Sequence, residues 1–231
     1  MRGKKVLCVI PARGGSKGIK LKNIYIVKGK PLIFYTLDFV KKINFFDDIL
    51  ISTDNLEIKK VCEKYGFHIP FLRPKNLSGD KVSDISVLKH SVRKLEKYNK
   101  TVYQTVIMLP PTSPLRLNKD LMSGLKKFYK NKHDSLWSVS LIDKKFHPDK
   151  QLLLNKERLS YYSNKGKKII ARQQLGNTYI RNGIFYILDR KCILEKGEIL
   201  GNKPGFYEIK SDYFNIDSLT DIRSFESYIK K

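Results

Sequence analysis

The densest gathering of chemistry in the chain is Pro11-Ala12-Arg13-Gly14-Gly15-Ser16-Lys17-Gly18-Ile19-Lys20-Leu21-Lys22-Asn23. Its glycines let successive backbone N–H groups turn toward one point, which makes a concave anion site. Arg13, Lys17, Lys20 and Lys22 add cations, and Ser16 a hydroxyl, where a polyphosphate would sit. The spacing is not the P-loop pattern, because no Gly-Lys-Ser/Thr closes it. Nor is it the dinucleotide GxGxxG, since Gly14 and Gly15 are adjacent. The same composition also suits a basic surface loop joining a strand to a helix.

Four further stretches carry usable side chains. Arg73-Pro74, followed by Leu77, Asp80, Ser83 and Ser86, reads as an ordered loop whose arginine faces either a ligand or solvent. Pro110-Pro111-Thr112-Ser113-Pro114-Leu115-Arg116 reads as a rigid rim, and rigid rims hold ligands at small entropic cost. Arg172 in Ala171-Arg172-Gln173-Gln174, and Arg181 beside Asn182-Gly183, offer planar forks suited to a carboxylate. Asn215 and Asp217 lie two apart before a helix start and would face one side of an extended segment. They suit a hard cation such as Mg²⁺, or Asp217 and Ser218 simply begin the helix. His147, before Pro148, reads as structural.

These stretches need elements to position them. Apolar residues 6–10 form a strand ended by Pro11, and residues 31–43 place Leu32, Tyr35, Phe39 and Ile43 at helical spacing. Residues 48–52 predict a strand, 55–65 a helix capped near Asp54 or Asn55, and 68–72 a short third strand. A helix capped by Ser83 or Asp84 follows, carrying Ile85, Leu88, Val92 and Leu95 on one face. Then come a strand over 103–109, a helix over 118–129 and a strand over 135–141. This alternation predicts one α/β domain with a mainly parallel, Rossmann-like sheet and ligands at the strands' carboxyl ends. After residue 143 the alternation breaks. A hairpin is expected over 152–162, a polar segment over 163–174, a strand over 184–188 and a closing helix over 219–229, with capping-box spacing at Ser218 and Asp221. Residues 143–180 read as a surface excursion or a dimer arm.

The 231 residues suffice for a real core, and 41% hydrophobic with 11% aromatic content is globular. No run reaches the ~18 apolar residues of a membrane span. Lys4-Lys5 before the first strand imitates a signal peptide only until Pro11, so a cytoplasmic location is expected. Cys8, Cys62 and Cys192 show no CxxC spacing and read as reduced, with Cys8 and Cys62 in the core. The net charge of +24 is spread over the whole chain as short lysine doublets. That pattern argues against nucleic acid and leaves an acidic small substrate or a solvated lysine surface.

Taken together, the loop 10–23, Ser52-Thr53-Asp54, Arg73-Pro74 with Asp80, Pro111–Arg116, His147-Pro148, Arg172-Gln173-Gln174, Asn182-Gly183 and Ile216-Asp217 resemble the acylneuraminate cytidylyltransferase family over nearly the whole chain. The resemblance implies a nucleotide-diphospho-sugar-transferase-like fold and a homodimer whose excursion reaches the partner's site. It implies that CTP and a nonulosonic, sialic-acid-like keto-sugar acid give the CMP-sugar and pyrophosphate, with Mg²⁺. A legionaminate, pseudaminate or KDO synthetase, or a non-catalytic binding homologue, are the alternatives. By the same resemblance Arg13, Ser16, Lys17 and Lys22 hold the triphosphate, with Lys22 nearest the reacting phosphate. Asn23, Arg73, Asp80 and Ser83 complete the nucleotide site. Thr112, Ser113, Arg172, Gln173 and Asn182 face the sugar, Asp217 and Asn215 face the metal, and Lys22, Asp217 and Arg13 carry catalysis. Two positions depart from the family: Pro110 stands where glutamine is usual beside the sugar, and Asn215 where a second metal aspartate is usual.

Overall fold

The apolar run 6–10 leaves strand β1 (Val6–Pro11) without a polar face, so it must be covered on both sides, and it lies inside the sheet. The computed structural model describes residues 3–229. After β1 come two short strands, β2 (Ile26–Val27) and β3 (Lys30–Pro31), then α1 (Leu32–Lys41), β4 (Asp48–Ser52), α2 (Leu56–Lys64), α3 (Asp84–Asn99) and β5 (Thr105–Met108). The second half holds α4 (Asn118–Lys130), β6 (Ser135–Leu141), β7 (Leu152–Asn155), β8 (Arg158–Tyr161), β9 (Tyr179–Asp189), β10 (Pro204–Glu208) and α5 (Leu219–Tyr228).

The main sheet runs β10-β6-β9-β5-β1-β4. All its pairings are parallel except those of β9, which is antiparallel to both β5 and β6. The strand alternation sends Cys8 and Ile10 to one face, with Ile33 and Leu37 of α1, Cys62 of α2 and Leu125 of α4. Leu7 and Val9 go to the other face, with Leu88, Val92 and Leu95 of α3. A smaller cluster joins Ile19 of the basic loop to Ile216 and to Ile222 and Phe225 of α5. The closing helix is thereby seated against the first loop.

Most predicted elements are present, with local differences. The Asn55 carboxamide accepts from the N–H groups of Glu57 (2.9 Å) and Ile58 (3.0 Å) at the start of α2. Ser218 and Asp221 form the expected capping box of α5. On α1 the fully buried stripe is Leu32, Ile33, Thr36, Leu37 and Val40, with Tyr35 and Phe39 packed against the core at its margin, and Tyr35 donates to the Val27 carbonyl (2.9 Å). The strand expected over 68–72 is absent. β4 is the sheet edge, Pro70 has no N–H to offer a ladder, and the segment is held instead by the burial of Ile69 and by Lys59 donating to its carbonyl (2.9 Å). β9 is longer than its apolar run, and β10 shows no strand pattern because Pro204 and Gly205 are tolerated only at an edge.

Residues 142–178 leave the end of β6 and return to its neighbour β9, so the excursion is a long insertion in one antiparallel turn. It carries the predicted hairpin, β7 against β8, as a separate two-stranded sheet. Leu154 (74% exposed), Leu159 and Ile170 (93% exposed) lie open on it. All three cysteines are buried; burial pushes the Cys8 thiol well up, and that of Cys62 up to about 12. His147 is buried, and its Nδ1 accepts from the Asp149 N–H (3.1 Å), a structural role. No helix among the described residues is long and apolar enough to cross a membrane.

Candidate active site

β1, β4 and β5 point their carboxyl ends the same way, and the loops that follow β1 and β5 open on one cleft of about 500 Å³. That volume suits a small-molecule ligand. The loop after β1 contributes Arg13, Ser16, Lys17, Gly18, Lys22 and Asn23. The stretch leading into α3 contributes Arg73 and Asp80, the loop after β5 contributes Pro110, Pro111 and Thr112, and Asp217 closes the far side.

The basic loop is braced from both neighbours. Asp54, just beyond β4, accepts from the Gly14 N–H (3.0 Å), and a Cβ at Gly14 would lie 2.8 Å from the Asn55 side chain. Only glycine allows that approach. Asn23 is buried and donates to the Arg13 carbonyl (2.9 Å), so its amide fixes the loop while its oxygen remains unassigned. Arg73 is 4% exposed, donates through Nε to Ser78 Oγ (3.1 Å), and lies 3.8 Å from Asp54. Burial pushes its pKa down, partly opposed by Asp54.

Opposite these cations sits Asp217. Lys22 Nζ donates to the Ile216 carbonyl (2.8 Å) and to Asp217 Oδ1 (2.7 Å). The Asp217 position is set by the chain around it. Ile216 is fully buried and its N–H donates to the Thr112 carbonyl (2.7 Å), and the Asp217 N–H donates to Asp221 (3.0 Å). Gly18 meets this segment so closely that a Cβ there would come within 2.6 Å of the Asp217 carbonyl oxygen. The rim is equally fixed: Arg116 donates to the carbonyls of Pro110 and Ile184 (2.7 Å to the latter) and to Thr36 Oγ1 (2.9 Å).

Mg²⁺ was expected at Asp217 and Asn215. Asn215 and Asp217 flank the buried Ile216 and are both exposed, but only Asp217 lines the cleft. Among the described residues no group of three or more His, Cys, Asp or Glu could hold a metal alone. Asp217 is an exposed carboxylate with one oxygen on Lys22, and alone it is a sparse site. Mg²⁺, however, is commonly held by one or two carboxylates together with substrate phosphates, which such a residue fits.

Several expected site residues lie elsewhere. Ser83 caps α3, bonding Ser86 Oγ (2.9 Å), and is not part of the cleft. Asn182 is wholly buried: it donates to Ser140 Oγ (3.0 Å) and accepts from Ser138 Oγ (2.6 Å) and the Ile184 N–H (3.1 Å). Its side chain satisfies an irregularity in the β6–β9 pairing, where Gly183 takes φ +71°. Ser113 is also buried and donates to the Asn182 carbonyl (3.2 Å). Neither Ser113 nor Asn182 lines the cleft. Arg172 and Gln173 lie exposed on the excursion, with Arg172 3.7 Å from Asp143, outside this chain's cleft. Conversely, Asp84 and the apolar wall of Leu77, Val82 and Val87 line the cleft without having been singled out as site residues. Burial raises the Asp84 pKa. A first-turn aspartate and helix-face valines look like ordinary cap and core in a sequence.

The parallel sheet, the glycine-and-cation loop at its carboxyl edge and the carboxylate facing that loop's lysine define a nucleotide-binding α/β transferase. The sequence profile described as "Cytidylyltransferase" matches residues 7–229, and the chain belongs to that family. It is 33% identical over 220 residues to a pseudaminic acid cytidylyltransferase of Campylobacter jejuni, covering 94% of this chain and 93% of that one. It is 30% identical over 226 residues to a CMP-N,N'-diacetyllegionaminic acid synthase of the same species, covering 97% and 95%. A solved CMP:2-keto-3-deoxy-manno-octonic acid synthetase complexed with CTP has the same fold, with TM-score 0.72 and 15% identity over 98% of this chain and 99% of that one.

Proposed function

We propose that this chain transfers CMP from CTP to a nonulosonic keto-sugar acid. The observation that carries the reading is the pairing of Lys22 with Asp217 at the mouth of a cleft also lined by Arg13, Lys17 and Arg73. Arg13, Ser16 and Lys17 would hold the β- and γ-phosphates, and Lys22 would neutralise charge at the α-phosphate. The anomeric hydroxyl oxygen of the sugar acid attacks the α-phosphorus, the bond to the bridging oxygen breaks, and pyrophosphate leaves while the hydroxyl proton passes to solvent. Catalysis is then positioning and charge stabilisation, with no covalent intermediate on the protein. Asn23 and Arg73 would recognise the nucleoside, and Thr112 would face the sugar. A Mg²⁺ ion held by Asp217 and the triphosphate would supply further charge neutralisation.

Pseudaminate, legionaminate and sialic acid are the nonulosonic acids to test, with the eight-carbon KDO beside them. The rim residue Pro110 is the position in this chain at which they would be distinguished. Pyrophosphate release from CTP, measured against a panel of these acids, should show turnover with one or two of them. Silence with all, in protein that binds CTP, would instead identify a non-catalytic homologue. Three buried thiols and a nucleotide substrate suit action in the cytoplasm.

The excursion supports a homodimer. An isolated hairpin is marginal in water, and Leu154, Leu159 and Ile170 offer apolar surface for a second copy, with Arg172 carried toward the partner's cleft. Leu154→Glu with Ile170→Glu should give monomers that still bind CTP but saturate poorly with sugar acid. Sedimentation showing wild-type monomers at micromolar concentration would exclude the dimer.

A further inference from the structure

The cleft already contains an anion of the protein's own. Asp80 Oδ1 lies 2.7 Å from Arg13 Nη1, and Asp80 Oδ2 lies 2.9 Å from Lys17 Nζ. One carboxylate thus takes a cation on each oxygen, as two oxygens of a phosphate group would. The cations hold its carboxyl below the usual range, Lys17 foremost and Arg13 next. Both pairs are open to water, with the Lys17 side chain 82% and the Asp80 side chain 37% exposed, and exposed pairs exchange readily.

The stretch that carries Asp80 is anchored at its base and free at its tip. Ser78 Oγ accepts from Arg73 Nε (3.1 Å) and donates to the Pro74 carbonyl (3.1 Å). Beyond it, Gly79 and Asp80 are joined to the approach of α3 by a turn bond from the Val82 N–H to the Gly79 carbonyl (3.2 Å). A carboxylate on such a tip can leave two cations without unfolding anything.

We propose that Asp80 is an internal counter-anion, holding the phosphate seats of Arg13 and Lys17 in the free enzyme and retaking them as pyrophosphate departs. The proposal rests on the reading of the cleft as a triphosphate site. It reverses the sign expected of Asp80 as a nucleotide ligand: the residue would weaken phosphate binding and hasten product release. Without it, Arg13 and Lys17 would face each other uncompensated and would retain any polyanion.

Pyrophosphate alone, titrated calorimetrically into the full chain at fixed ionic strength, tests this without any sugar acid or turnover. Asp80→Asn, which preserves shape, should bind pyrophosphate roughly three- to tenfold more tightly than wild type, the effect of freeing two exposed pairs. Asp84→Asn removes an equal charge from the same cleft without touching Arg13 or Lys17, and should stay within about twofold of wild type. In turnover assays, pyrophosphate should inhibit the Asp80→Asn variant more strongly. Unchanged or weaker pyrophosphate binding by Asp80→Asn would overturn the proposal, and so would equal tightening by Asp84→Asn, which would mark a general field effect. If no form binds pyrophosphate, the phosphate seats themselves are wrong and the proposal falls with them. If pyrophosphate binds as expected but no sugar acid is turned over, the functional reading fails while the counter-anion stands.

Discussion

Lys22→Ala should leave a folded protein whose turnover of CTP is lower by about a hundredfold or more, the range for losing one preorganised donor at a developing charge. Lys22 is the cation best placed for this. Its side chain is only 13% exposed, and two oxygens at 2.8 and 2.7 Å fix its ammonium group beside Asp217. A flexible surface lysine would have to be ordered on binding, whereas this one is ordered beforehand. The substitution also leaves the Ile216 carbonyl without its partner, so the melting temperature should be measured alongside the kinetics. CTP affinity should fall less than turnover, because Arg13, Lys17 and Arg73 remain. Near-normal kcat in a folded Lys22→Ala protein would remove the basic loop from the mechanism.

Asp217→Asn should abolish activity, and Asn215→Asp should lower the Mg²⁺ concentration needed for half-maximal rate. The amide keeps an oxygen ligand but removes the charge that a hard divalent cation prefers. Asp217→Asn also weakens the contact that holds Lys22, so two consequences fall on one substitution. The Asn215→Asp half separates them, since Asn215 has no part in holding Lys22. Its side chain is exposed two residues before Asp217 and outside the cleft lining, so a carboxylate there acts on the ion at longer range. The shift should therefore be modest, about two- to fivefold at low salt. A Mg²⁺ titration unchanged by Asn215→Asp, together with an active Asp217→Asn, would place the metal elsewhere.

What a sequence can disclose here follows a physical division. β1, β4, β6 and α2 are readable because their apolar period and caps are local, and so is the glycine-and-cation loop. Of the loop cations, Arg13, Lys17 and Lys22 line the cleft, and Lys20 does not. Two of the residues expected at the site but found off the cleft answer to partners distant in the chain: Asn182 satisfies Ser138 and Ser140 across a strand pairing, and Ser113 meets Asn182. Ser83 instead serves the start of its own helix, bonding Ser86 three residues on. A polar residue beside glycine or proline looks alike whether it faces a ligand or mends a bulge. The edge strand β10 and the absent strand over 68–72 are likewise decided by which neighbour is available, not by local pattern.

Lys22 and the carbonyl it grips are 194 residues apart, and Gly18 fits against Asp217 across nearly the same span. The ribosome therefore makes one half of this cleft well before the other. Until Ile216 and α5 emerge, the basic loop has a sheet to stand on, but the apolar seat around Ile19 and the hydrogen bonds to Lys22 are both missing. Contacts of such long sequence separation carry a large loop-closure entropy, which favours docking of α5 late, after the parallel sheet has formed. A chain still short of Ile216 would carry the cationic loop without Asp217, its Lys22 unheld, and would be inert until α5 docks.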